Sequence, residues 1–288
     1  MEYWELQQRM SLPLEAKVHL TESRIRDFYD KCEGNIYVAF SGGKDSTVLL
    51  HIVRNIFPSI KAVYYDTGLE FPEIKDFVKT IDNVDIIRPK LSFKQVIDKY
   101  GYPVISKEQS RRIHDYRTTK SEKYKQICYK EISAKWKYMI DAPFKISDRC
   151  CYVMKKYPAY KYENNTKLHP IIGTMASESQ RRLVSYLQYG CNNFDSERPT
   201  SKPLSFWTEK DIWGYIKLNN IQYSKIYDMG YYRTGCMWCM FGVDQERGGN
   251  RFQKMSRTHP QIHEYCMTQL GLKEVLDYMK IKTHYLVS

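Results

Sequence analysis

The chain has 288 residues, 42% of them hydrophobic, which is enough for one large or two small domains with buried cores. Its formal net charge of +12 favours polyanionic partners such as nucleotides or nucleic acid. No apolar run approaches the length of a membrane span, and the acidic start Met1-Glu2-Tyr3-Trp4-Glu5 is no signal peptide, so the expectation is a cytoplasmic protein with no membrane partner.

Residues 1–34 read as a helical segment with Leu14, Val18, Ile25 and Phe28 on its apolar face, ended by Gly34. Then Tyr37-Val38-Ala39-Phe40 runs as a strand into Ser41-Gly42-Gly43-Lys44-Asp45-Ser46, and apolar residues at helical spacing follow: Val48, Leu49, Ile52 and Val53. Strand, tight turn and helix make an anion site, because first-turn N–H groups and the positive end of the helix dipole point out of the junction. Gly42 and Gly43 let backbone approach an oxyanion, Ser41 and Ser46 bring hydroxyls, and Lys44 brings a mobile charge. The Walker pattern is absent: it needs a glycine where Val38 stands and Ser or Thr where Asp45 stands. A plain capped turn explains the same junction, but two serines, two glycines, a Lys and an Asp are more than a turn needs.

Ile60 to Tyr65 reads as a second strand, Pro72 to Ile81 as a helix and Val84 to Ile87 as a third strand, the alternation of a parallel sheet that binds ligands beyond its carboxyl ends. Asp66 closes the second strand, where it either caps a turn or faces a nucleotide held at the strand next door. From Lys107 to Lys137 ten Lys or Arg against four acids leave +6, with Tyr116, Tyr124, Tyr129, Trp136 and Tyr138 interleaved. That is a solvated helix pair with core aromatics or a basic arm for a nucleic-acid backbone, and charge runs favour the former. Leu168 to Ile172 reads as a fourth strand whose Pro170 suggests an edge or strand-start position. Glu178 and Arg182 follow at a second strand-to-helix junction, where they either cap and decorate a helix or close over a nucleotide. Thr208 to Asp211 is a capping box that opens a helix.

Eight cysteines in a reducing compartment point to metal or cluster ligands, reactive thiols or buried small side chains. Cys236-Met237-Trp238-Cys239 makes a knuckle that needs two more ligands, and the adjacent Cys150-Cys151 are the candidates. Side chains of neighbouring residues diverge, which suits the separate irons of a cubane better than one zinc, though structural zinc and unligated thiols stay open. Cys266 lies between Ile262 and Leu270 on an expected helix, in a packing position.

SGGKDS at residues 41–46 resembles the pyrophosphate loop of the adenine nucleotide α-hydrolase (PP-loop) superfamily, and Asp66-Thr67-Gly68 followed by Phe71-Pro72-Glu73 is similar to its second segment. The cysteine pair, Lys155, Pro158 and the distant knuckle resemble the [4Fe–4S] subset of the phosphoadenylyl-sulfate and adenylyl-sulfate reductases. The resemblance covers about Asn35 to Gly242. It implies an α/β, Rossmann-like, doubly wound parallel sheet at residues 35–205 with a basic helical insertion at 104–145, followed by a helical region at 206–288 that carries the knuckle. It also implies ATP, or a sulfated adenosine nucleotide, with Mg²⁺. Ser41, Gly42, Gly43, Lys44, Asp45, Ser46, Asp66, Glu178 and Arg182 would bind the nucleotide, with Lys44 and Asp45 as catalytic groups. Cys150, Cys151, Cys236 and Cys239 would hold the cluster, and a sulfur or electron donor protein would be the further partner. Met175 and Met154 stand where relatives carry Arg, and the Glu-Cys-Gly-Leu-His nucleophile of the reductases has no counterpart, whereas an intact SGGKDS is the form of members that cleave ATP to AMP and pyrophosphate. Three activities follow: adenylation of a substrate for sulfur transfer, reduction of a sulfated nucleotide to sulfite, or nucleotide binding by an adaptor with a zinc-held lid.

Overall fold

The computed structural model describes residues 2–285. Its elements run α1 (Tyr3–Ser11), α2 (Leu14–Lys31), β1 (Ile36–Ala39), α3 (Lys44–Ile56), β2 (Ala62–Tyr65), α4 (Pro72–Lys79), β3 (Val84–Ile87), α5 (Phe93–Tyr100), β4 (Val104–Ile105), α6 (Lys107–Thr118) and α7 (Glu122–Glu131). There follow α8 (Tyr157–Thr166), β5 (His169–Ile172), α9 (Gln180–Tyr189), β6 (Asn192–Asn193), β7 (Thr200–Ser201), α10 (Glu209–Leu218), β8 (Met240–Phe241), α11 (Arg251–Thr258), α12 (Pro260–Thr268) and α13 (Leu272–Tyr278). Contacts divide the chain into two units, one of residues 1–66, 71–88 and 159–233, the other of residues 67–70, 89–158 and 234–288.

The first unit is built on a six-stranded sheet in the order β3-β2-β1-β5-β7-β6, parallel except for β6. Its central strands β1, β2 and β5 are largely apolar, as helix-covered parallel strands must be: Val38, Val63 and Ile171 are fully buried. The chain leaves β1 toward β2 and β3 and returns on the other side of β1 as β5. Between β1 and β5 the winding therefore reverses, and the crevice at their carboxyl ends is where such sheets take ligands. The expected helix through Leu14, Val18, Ile25 and Phe28 is α2, and α1 precedes it as a separate helix, because Pro13 cannot continue α1 and instead stands at the N-cap of α2. Ile25 and Phe28 are buried as expected, while Leu14 and Val18 are half-buried.

Of the two positions expected for Pro170, the strand start holds and the edge does not: it is the second residue of β5, which lies inside the sheet. The N–H of His169 donates to the carbonyl of Asn35 on the β1 side, so alternation turns residue 170 toward β7, which pairs only at Ile171↔Ser201. The missing N–H of Pro170 therefore leaves no ladder bond unmade.

The second unit is mainly helical around a two-stranded parallel ladder, Val104↔Met240 and Ile105↔Phe241. Residues 107–137 form the helix pair α6 and α7 followed by a 3-10 helix at Ala134–Asp141. Trp136 is buried there, while Tyr129 is exposed with the Lys137 ammonium 4.0 Å from its ring centre. Arg117 locks the 3-10 segment to α6 by donating to the carbonyls of Met139, Ile140, Ala142 and Phe144. No helix among the described residues is long and apolar enough to cross a membrane.

Candidate functional site

At the end of β1 the chain turns through Ser41-Gly42-Gly43 into α3, whose N-cap, Gly43, offers no capping side chain. Gly42 has φ +73°, and a Cβ there would lie 2.8 Å from Ile74 Cγ2 and 2.9 Å from Val78 Cγ2. Only glycine fits both the left-handed backbone and the contact with α4. The turn is closed from within: the Ser41 N–H donates to Ser46 Oγ (3.1 Å), and Ser46 Oγ donates to the Gly43 carbonyl (2.9 Å). Ser46 is 4% exposed and shapes the loop, while Ser41 is open to solvent.

Lys44, expected as a mobile charge, is held in place. Its Nζ lies 3.1 Å from the Tyr232 carbonyl, 3.6 Å from Asp45 Oδ1 and 3.4 Å from Glu209 Oε1, and its N–H donates to the Tyr227 hydroxyl. Asp45 Oδ1 is buried and has no hydrogen-bond partner. Burial pushes the Asp45 carboxyl above its ordinary range, Lys44 pulls against that, and the carboxylates of Glu178 and Glu209 push the same way as burial. Across the crevice, a Cβ on Gly173 at the end of β5 would lie 2.9 Å from the Asp45 carbonyl, so the end of β5 and the first turn of α3 meet here backbone to backbone.

Glu178 accepts the Met175 N–H and pairs with both Arg182 and Arg233. Asp66, at the end of β2, is held by Lys75 (3.2 Å) and Arg88 (3.1 Å). The loop, Asp45 and Glu178 thus share one electrostatic neighbourhood, while Asp66 belongs to a separate ion-pair group on the other flank of β1. Sequence reasoning missed Glu209, Tyr227, Tyr232 and Arg233. The capping box at Thr208 and Asp211 is present, but its second residue reaches Lys44, a tertiary contact with no local signature.

In the second unit Cys150 and Cys151 open the helix that continues into α8, and Tyr152–Lys156 form a π-helical turn within it. The Tyr157 N–H bonds back to the Tyr152 carbonyl, five residues away. Pro158, one residue on, has no N–H and would clash with a carbonyl in a regular turn, which the wider turn accommodates. The knuckle is a turn closed by the Cys239 N–H on the Cys236 carbonyl (3.1 Å), anchored by the Met237 N–H on the Leu69 carbonyl (2.8 Å), and it runs straight into β8. Beside it Ile105, paired with Phe241, has φ +62°, a costly conformation for a β-branched residue.

The four thiols feel one another. Burial pushes Cys150 far up, with Cys236, Cys151 and Cys239 adding to it, and burial followed by Cys236 pushes Cys239 up to about 11. Two cations stand by. Burial works against the charge of Lys155, but Cys236 and Glu70 outweigh it and hold its pKa high, and Arg251 is held charged in the same way by Glu246, Cys239 and Cys236. Among the described residues no three His, Cys, Asp or Glu are drawn together tightly enough for one metal ion. Cys266 is fully buried, its thiol bonded to the His263 carbonyl and pushed by burial up to about 12.

A doubly wound sheet with a phosphate-type loop at its switch point defines the class. The family model described as the phosphoadenosine phosphosulfate reductase domain matches residues 35–106 and 86–241, and the chain belongs to that family. Among its relatives, an uncharacterised protein of Methanocaldococcus jannaschii is 26% identical over 254 residues, 83% of this chain and 49% of that protein. The chain thus spans about half the length of that relative. The adenosine 5'-phosphosulfate reductase of Staphylococcus epidermidis is 26% identical over 238 residues, 82% of this chain and 83% of that enzyme. Of solved structures, the phosphoadenylyl-sulfate reductase of Candida auris is similar with a TM-score of 0.46 and 17% identity, over 78% of this chain and 96% of that one. The matched, characterised members of the family are enzymes.

Proposed function

We propose that the chain binds ATP with its polyphosphate on Ser41–Ser46 and cleaves it between the α- and β-phosphates, activating an acceptor for sulfur transfer. An acceptor oxygen attacks the α-phosphorus, the bond to the bridging oxygen breaks, and pyrophosphate leaves with the electron pair. A donor protein's sulfur then displaces AMP from the adenylated acceptor. The observation that carries this reading is the buried Asp45 Oδ1, which has no hydrogen-bond partner, beside an intact Ser-Gly-Gly turn. Mg²⁺ suits that oxygen, because it takes hard carboxylate ligands and would relieve the crowding of Asp45 with Glu178 and Glu209. Lys44, fixed rather than mobile, serves as a preorganised charge at the phosphates.

The four thiols fit a [4Fe–4S] cluster held by Cys150, Cys151, Cys236 and Cys239. The adjacent Cys150 and Cys151 suit the separate irons of a cubane better than a single zinc, and Lys155 and Arg251 would offset its negative charge. Bound there, a cluster would supply redox or sulfur-handling chemistry. The basic segment 107–137 makes a polynucleotide the acceptor class that best matches the chain's charge.

Reduction of a sulfated nucleotide is the second reading, favoured by the names of the matched relatives. The burial of Cys266 opposes it, since that thiol is inaccessible and hard to ionise. Incubation with ATP and candidate acceptors, with AMP and pyrophosphate measured, tests the first reading. Sulfite released from adenylyl sulfate and a thiol, with no ATP turnover, overturns it.

A further inference from the structure

The π-helical turn at Tyr152–Lys156 changes which side chains meet on the helix surface. On a regular α-helix each residue advances by about 100°, so Tyr152 and Tyr157, five apart, would stand about 140° from each other on different faces. Here the Tyr157 N–H bonds to the Tyr152 carbonyl, and the two rings come together with centroids 6.3 Å apart and planes at 46°. Arg149 extends the group. Its guanidinium carbon lies 5.8 Å from the Tyr152 ring centre, and its N–H is held by Oγ of the buried Ser147 (3.1 Å). Turns of this wide kind are rare and recur at functional sites.

The ring pair is not covered: Tyr152 is 41% exposed and Tyr157 45%. From Asp148 to Pro158 the exposed residues are Arg149, Tyr152, Lys156 and Tyr157, two cations and two aromatic rings with no acid and no aliphatic side chain among them. The other charges of the stretch are half-buried, Asp148 and a Lys155 that faces Glu70 (3.9 Å). Among the described residues no carboxylate pairs with Arg149 or Lys156. A protein partner meets a surface of mixed charge, whereas rings flanked by cations alone suit a ligand with flat π-faces and a negative backbone. Cys150 and Cys151 stand between Arg149 and Tyr152 in the chain, so whatever stacks on the rings is held next to the cysteine pair.

We propose that Tyr152 and Tyr157, with Arg149 and Lys156, form a stacking platform for an unpaired base of a single-stranded nucleic acid, the two cations taking the flanking phosphates. This rests on the polynucleotide acceptor proposed above and deepens it: the acceptor presents a base out of its duplex, beside Cys150 and Cys151.

Fluorescence anisotropy on the full chain tests it, with a labelled twenty-nucleotide single strand and its duplex titrated across a salt series. Tyr152→Ala and Tyr157→Ala should each weaken single-strand binding about fivefold or more while duplex affinity stays within about twofold, because a paired base has no free face; loss at either ring upholds the platform. Tyr152→Phe keeps the face and should bind like the parent. Arg149→Met should instead flatten the salt dependence by about 0.7 in slope, the mark of one lost phosphate contact, which neither alanine variant should do. Unchanged single-strand affinity in both alanine variants, or an equal loss on the duplex, overturns the platform and leaves the polynucleotide acceptor standing, bound elsewhere on the chain. If the parent binds no single strand, the acceptor reading falls and the platform with it, while ATP turnover in the same preparation reports separately on the nucleotide reading. Should Tyr152→Ala melt below the parent, Tyr152→Leu decides, since it keeps apolar bulk without the π-face: weaker single-strand binding supports the platform, and parental binding counts against it.

Discussion

Gly42 and Asp45 are the two residues of the turn whose positions are most tightly constrained, one by its backbone and one by its burial. Gly42 sits in left-handed backbone with Ile74 and Val78 against the place a Cβ would take, so Gly42→Ala combines strain with a clash. We expect a loss of about 1–3 kcal/mol in urea unfolding together with weakened ATP binding. An unaltered midpoint would mean that the turn is not held as described. The six residues from Ser41 to Ser46 were legible in the sequence because turn chemistry is local. What Lys44 does was not legible, because its partners Glu209, Tyr227 and Tyr232 lie far along the chain. Residue type alone reads such a lysine as a free charge, and tertiary packing makes it a fixed one.

Among the elements, α2 and α10 are joined by an ion pair with no local signature, its partners lying far apart in the chain. Lys17 is 1% exposed, and its Nζ donates to Asp211 Oδ2 (2.6 Å) and the Met10 carbonyl (2.7 Å). The same carboxylate caps α10 through the N–H and hydroxyl of Thr208. Removing one partner strands a buried charge, so Lys17→Met should cost about 3–5 kcal/mol by chemical denaturation, more than its lost packing explains. The pH dependence has a definite sign. Burial works against the Asp211 carboxylate, but Lys17 and Thr208 outweigh it and hold its pKa below the ordinary 3.8. The native state therefore binds fewer protons than the unfolded one, and this stabilisation is complete above 3.8 and lost as pH falls through the depressed value. The stability gap between the parent chain and Asp211→Asn should close in that acid range; a gap that persists there contradicts the assignment. β1, β2, β3 and β5 were readable from periodicity, within two residues at their ends, whereas β4, β6, β7 and β8 are two residues each and too short to show a period. The separate α1 before Pro13 and the interior place of β5 were not readable either, since a proline marks a constraint without saying which neighbour resolves it.

For the molecule as a whole, the excess of +12 and the four thiols make separate claims. Charge composition pointed to a polyanion from the outset. The thiols were legible as a pair plus a knuckle, whereas the π-helical turn at Tyr152–Lys156 and the nearby Arg251 were not, because both arise from packing around Pro158 and β8. Protein purified without oxygen should be brown, with iron and sulfide near four each per chain if a cubane is held. Cys236→Ser should lower both, and stoichiometric zinc without sulfide would replace the cluster by a structural metal.

The seat of the polyphosphate underlies the rest, and calorimetric titration of MgATP into the parent chain and into Asp45→Ala with Ser46→Ala tests it. Loss of the internal closure of the turn and of the buried carboxylate should weaken binding by about tenfold or more. Equal affinity in the two proteins would place the nucleotide elsewhere and contradict the account.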